Sequence, residues 1–181
     1  MKSTYQIDSA HSSVQFSVRH LMVSNVRGTF AGISGTVQYD PDKAAETTVE
    51  AVIDVNSLNT NDEKRDGHLK TPDFFDVAQY PTITFKSKSV SKTGDGEFRV
   101  VGDLTIHGVS KEVTLNVEEV SGEAKDPWGN IKIGATAKTK IKRGDFGLTW
   151  NAALETGGFL IGEDVKIEAD LQFSKAQTAA A

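Results

Sequence analysis

Histidine, arginine and acidic side chains are the groups in this chain that could do chemistry, and their spacing decides which chemistry is open. The four histidines are His11, His20, His68 and His107. Two-histidine metal motifs need i, i+4 on a helix or i, i+2 on a strand. Neither spacing occurs, so no metal site is expected, and His107, in Thr105-Ile106-His107-Gly108-Val109, reads as a turn residue. There is no cysteine, which excludes disulfides, zinc–thiolate sites and thiol catalysis together. Nucleophile elbows, phosphate-cradling glycine loops and dinucleotide fingerprints are also missing. The densest polar group is Arg65-Asp66-Gly67-His68-Leu69. Its arginine and histidine could meet the polar head of a ligand. Arg65 and Asp66 could instead only clamp a helix in place, and a third reading makes Asp66 and His68 an acid–base pair.

The elements that must position these groups are strands. Val165, Ile167, Ala169, Leu171 and Phe173 alternate with Lys166, Glu168, Asp170 and Gln172, and similar alternation runs through 14–18, 49–55, 113–117 and 131–142. Such strands have one wet and one dry face, which is antiparallel behaviour. Turn signals at 39–42, 93–96, 107–108 and 125–130 separate eight or nine of them. One interval breaks the alternation. Thr60 and Glu63 have the spacing of a capping box for a short helix reaching roughly Leu69, and Thr71-Pro72 offers a second helix start before Phe74-Phe75.

The fold class read from this pattern is all-β with a short helical insert: an antiparallel β-barrel of about eight strands, with a two-sheet sandwich as its competitor. Small inward residues (Ala51, Gly102, Ala135, Ala137, Ala169) favour a cavity over a solid core. With 181 residues and no linker, residues 1–175 form a single domain and 176–181 a disordered tail. The net charge of -5 argues against nucleic acid as a partner and against attraction to an anionic membrane. No apolar run is long enough to span a bilayer, and Met1–Asp8 lacks a secretory h-region, so a cytoplasmic protein is expected unless a leader has been removed.

Several segments together resemble the YceI-like family of polyisoprenoid-binding, lipocalin-like proteins. They include Ile7-Asp8-Ser9-Ala10-His11-Ser12-Ser13-Val14, Val26-Arg27-Gly28-Thr29-Phe30, Arg65-Asp66-Gly67-His68-Leu69, Pro72-Asp73-Phe74-Phe75-Asp76-Val77, Gly102-Asp103-Leu104-Thr105-Ile106-His107-Gly108-Val109 and Arg143-Gly144-Asp145-Phe146-Gly147. The resemblance spans about Tyr5 to Phe173. It implies an extended lipocalin-like barrel that encloses an apolar tunnel and binds a polyisoprenoid or prenyl-quinone-like lipid, for carriage or storage, without catalysis or cofactor; it also allows a homodimer. The expected apolar lining is Phe16, Val18, Phe30, Ile53, Val55, Leu69, Phe74, Phe75, Phe85, Phe146 and Trp150, with His20, Arg65 and His68 at the polar end. Two other functions stay open: an enzyme acting on isoprenoid lipids through Asp66 and His68, and a ligand-free structural or stress-related barrel.

Overall fold

Where apolar and polar residues alternate, the chain forms long antiparallel strands. The computed structural model describes residues 1–177. In chain order the strands are β1 (Ser3–Ile7), β2 (Ser13–His20), β3 (Ser24–Phe30), β4 (Ile33–Tyr39), β5 (Thr48–Asp54), β6 (Leu58–Asn59), β7 (Thr82–Gly94), β8 (Glu97–Ile106), β9 (Val109–Glu118), β10 (Ala124–Lys125), β11 (Ile131–Lys142) and β12 (Ile161–Lys175). One α-helix, α1 (Glu63–Leu69), interrupts them.

Eight strands close into a ring. The order runs β1-β4-β5-β7-β8-β9-β11-β12, and Tyr5 to Ile7 of β1 pair with Lys175 to Phe173 of β12 to complete it. Closure leaves the ring no free edge, and the sandwich reading falls. The strand count of twelve exceeds the eight or nine expected because β2 and β3 extend the wall beyond β1 and β4, while β6 and β10 are two-residue ladders. The expected turns all form. At 107–108 both residues have positive φ, as a two-residue hairpin needs.

The helix starts later than its capping-box spacing suggests. Asp62, not Thr60, is the N-cap, its carboxylate accepting from Arg65 N at 3.0 Å. No second helix follows Thr71-Pro72. The segment folds as successive turns, with Phe74 N bonded to Thr71 O at 3.0 Å and Thr71 Oγ1 donating to His68 O at 2.7 Å.

The strands' directions put the longest irregular segments at one end. The ends of β2, β5, β8 and β11 and the starts of β3, β7, β9 and β12 meet there, joined by the 21–23 turn, the 55–81 insert and residues 143–160. The opposite end is shut by Tyr5, Tyr39 and Phe98, whose rings lie 6.1–6.4 Å apart in sequence of contact. Of the tail expected over 176–181, Ala176 still donates to Thr4 O at 2.8 Å, and residues 178–181 lie outside the described residues.

Candidate functional site

The dry faces of these strands do not meet. They enclose a cavity of about 350 Å³ whose wall is almost wholly apolar. From β2 come Phe16 and Val18, from β3 Phe30, from β5 Ala51 and Ile53, from β7 Phe85, and from β12 Val165, Ile167 and Ala169. The period of two places every one of these on the inner face. The insert supplies Leu69, Phe74 and Phe75, and residue 150 supplies its indole. A second void of about 110 Å³ continues toward the closed end. The two share Val49, Leu115, Ala137, Leu171 and Phe173, so they adjoin along the barrel.

Aromatic rings build the wall near the open end. Phe16 lies 5.5 Å from Phe30, and Phe30 lies 5.9 Å from Phe75, edge to face. His68 stands edge-on to both Phe74 and Trp150 at 5.1 and 5.0 Å, and those two rings are 5.3 Å apart. These distances fall in the favourable range for offset and T-shaped pairs. Gly28 makes the Phe16 position available: Phe16 pairs directly opposite it, and the ring occupies the place a β-carbon would take. Gly102 does the same for Phe85, so this small inward residue is covered by a ring and opens no space.

Two expected lining residues are elsewhere. Val55 is fully buried, yet β5 stops at Asp54, whose carboxylate accepts from Asn56 N at 2.9 Å. That cap turns Val55 into a short 3-10 turn and off the barrel's inner face. Phe146 is also fully buried but belongs to a 3-10 turn, Arg143–Phe146, packed against β9, β11 and β12. The β9–β11 ladder spans only Asn116 to Glu118, and this turn fills the seam beside it.

Of the polar residues bordering the cavity, Arg19, His20, Arg65, His68 and Arg143 gather at the open end, while Lys138 and Thr139 on β11 are engaged by Glu118 and Thr114 O. Arg65 is also a clamp. Its Nε donates to Thr60 Oγ1 at 2.8 Å and its Nη2 to Thr60 O at 2.7 Å. Asp66 accepts from Thr60 N at 2.9 Å and from the Thr60 hydroxyl. Buried Thr60 is thereby gripped by both charged neighbours, and α1 is fixed to the barrel. His68 Nε2 meets Asp73 Oδ2 at 2.8 Å. Asp66 and His68 thus face different partners and do not form a pair.

Arg19 and Arg143 are charged lining residues outside the expected site, although Arg143 opens one of the quoted segments. Arg143 is buried and pairs with no carboxylate among the described residues. Its guanidinium donates instead to Gly162 O at 2.8 Å, Leu148 O at 2.7 Å, Trp150 O at 2.9 Å and Ile161 O at 3.5 Å. Burial pulls its pKa down, opposed by the negative charge of Glu163. Nothing local in the sequence marks it, because all its partners are backbone carbonyls. Among the described residues, no three His, Asp or Glu side chains converge to hold a metal ion, and no helix is long and apolar enough to cross a membrane.

Comparison with known proteins agrees with this architecture. The chain is 42% identical over 173 residues to the UPF0312 protein SAS2572 of Staphylococcus aureus strain MSSA476, covering 95% of this chain and 98% of that one. Among solved structures, Burkholderia cenocepacia BcnA superposes with a TM-score of 0.78 at 27% identity, covering 92% of this chain and 98% of BcnA. A polyisoprenoid binding domain from Saccharophagus degradans, implicated in plant cell wall breakdown, shares the fold at a TM-score of 0.67 and 20% identity, over 95% and 98% of the two chains. The family model described as YceI-like domain matches residues 5–173, and the chain belongs to that family.

Proposed function

We propose that this protein binds a long-chain amphiphilic lipid, polyisoprenoid or prenyl-quinone-like, inside the barrel and carries or stores it unchanged. The observation that carries the reading is the cavity: about 350 Å³ of almost wholly apolar space with most of its bordering charged side chains at the open end. That volume lies in the range of about 300–1,000 Å³ typical of small-molecule sites. Each buried CH₂ is worth about 0.8 kcal/mol, so one five-carbon unit grosses roughly 3–4 kcal/mol. Ordering the tail and losing its freedom offset several kcal/mol of that, so affinity grows more slowly than length. The head group would sit among His20, Arg65, His68 and Arg143. A likeness of fold to a domain named for polyisoprenoid binding supports the same class of ligand.

Carriage is favoured over catalysis by the side chains' partners. General acid–base work needs both groups within hydrogen-bond reach of one substrate, whereas Asp66 is bonded to Thr60 and His68 to Asp73. No cofactor enters this reading, and the setting proposed is cytoplasmic. The test is Phe75→Glu, which places a carboxylate on the cavity wall. Native mass spectrometry of the purified variant should show lipid occupancy at least about tenfold below wild type, with unchanged circular dichroism. Undiminished lipid in that variant would overturn the assignment of the tunnel as the binding site.

A further inference from the structure

Seven large apolar side chains are exposed among the described residues, and four of them share one rim of the barrel: Leu21 (41% exposed), Met22 (64%), Val23 (74%) and Phe159 (60%). Of the other three, Met1 is terminal, Val52 lies on β5, and Trp128 sits in the β10–β11 turn at the closed end. The four rim residues come from two segments in contact. Leu21 N donates to Leu160 O at 2.8 Å, and Met22 Sδ lies 2.6 Å from where a β-carbon on Gly158 would be. Both segments reach the tunnel, since His20 and Leu160 border it. The apolar rim is therefore continuous with the mouth.

The backbone of the rim opposes its side chains. Leu21 and Met22 have φ of 52° and 61°, a left-handed conformation that costs most residues about 1–2 kcal/mol and that asparagine or glycine adopts readily. A turn shaped only to link β2 to β3 would carry those residues. Instead it holds two large apolar groups in water. The turn itself is basic, since residues 19–27 contain Arg19, His20 and Arg27 and no aspartate or glutamate in a chain of net charge -5. The carboxylates beside it on β12 have partners, Glu163 accepting from Gly144 N at 3.0 Å and Asp164 lying 3.8 Å from Lys140 Nζ. In the neighbouring 151–160 loop Glu155 is the one carboxylate. Charges beyond about 8–10 Å are screened at physiological salt, so the rim's own sign governs close approach to a surface. An apolar tip between arginines matches an anionic lipid surface, with the tip among acyl chains and the cations at head-group level.

We propose that this rim is a membrane-docking lip: the barrel stands mouth-down on an anionic bilayer with Leu21, Met22, Val23 and Phe159 inserted. The tunnel then opens directly into the lipid phase, and an amphiphile moves between bilayer and barrel without crossing water. The purpose of the lip rests on the lipid-carrying reading above, but docking is measured separately from cavity binding.

The test uses flotation with vesicles of equal parts phosphatidylethanolamine and phosphatidylglycerol, and all-trans-farnesol as the cavity probe. Leu21→Asn combined with Met22→Asn should lower vesicle partition at least about tenfold while keeping a Tm equal to or above wild type, because asparagine relaxes the turn. Phe159→Ser, on the other segment, should give a similar loss, and Trp128→Ala none. Farnesol binding from solution should be unchanged in all of them. Equal partition of the double variant and wild type would overturn the proposal, as would no partition of wild type. A lip-dependent dimer that forms without vesicles would also overturn it, making a second copy the occupant. Loss of farnesol binding in wild type, with lip-dependent partition intact, would contradict the cavity reading and leave docking standing.

Discussion

Arg143 carries a buried charge whose compensation is four carbonyl oxygens of residues 148–162. Lysine offers three donors from one point and cannot span that set. Arg143→Lys should therefore leave carbonyls unpaired and lower stability by about 2–3 kcal/mol, read from urea midpoints, with Arg143→Met at least as costly. Asp8 makes a second testable contribution. A hydrogen bond from Lys132 Nζ at 2.9 Å holds its pKa at about 2, below the usual aspartate value of 3.8. Its folded-state pKa is depressed, so the stabilisation is present above the unfolded value and lost as pH falls through the folded one. Acid titration of stability from pH 4 down to pH 2 should thus show a loss of about 1–2 kcal/mol that Asp8→Asn, less stable at neutral pH, does not show. At this scale the sequence is readable where the side chain's own type decides the contact. Phe75 and Leu69 are examples, apolar residues with nowhere to go but inward. It is unreadable where a backbone carbonyl is the partner, as at Arg143, or where a cap redirects the chain, as Asp54 does to Val55.

Within the elements, glycine and alanine set the shape of the tunnel. Phe16 lies over Gly28, so Gly28→Ala should push the ring into the cavity and cost about 1–3 kcal/mol, with lipid occupancy reduced in proportion. Ala137 is buried on β11 and lines both voids. Ala137→Phe should fill the boundary between them and deny the second void to a ligand in the first. Farnesol would bind within about threefold of wild type, and isoprenoids long enough to need the second void would lose about tenfold or more, measured by competitive displacement. Equal losses for short and long chains would show that the second void is unused. The alternation that identifies β11 and β12 is local and survives in the sequence residue by residue, since lysines and acids face water between apolar neighbours. The helix cap is harder to read. Thr60 and Asp62 both suit a cap, and the choice depends on Arg65 and Asp66 gripping Thr60, a contact that forms only once the insert folds back on the barrel.

As a whole molecule the protein is a wall around a space. Antiparallel strands with one dry face can close or stack, and local sequence does not distinguish the two. Closure depends on β1 pairing with β12, from opposite ends of the chain. The small inward residues point to the hollow: Ala51, Ala137 and Ala169 border the main cavity and Ala135 the smaller void. The size of the space depends on how far the rings of Phe16, Phe30 and Phe75 retreat from the axis, which is set jointly by many contacts. The most direct measurement is solvent extraction of the purified protein followed by mass spectrometry of the extract. A long-chain amphiphile recovered intact at close to one molecule per chain is the expected result. A lipid-free protein that also takes up no added isoprenoid would contradict it.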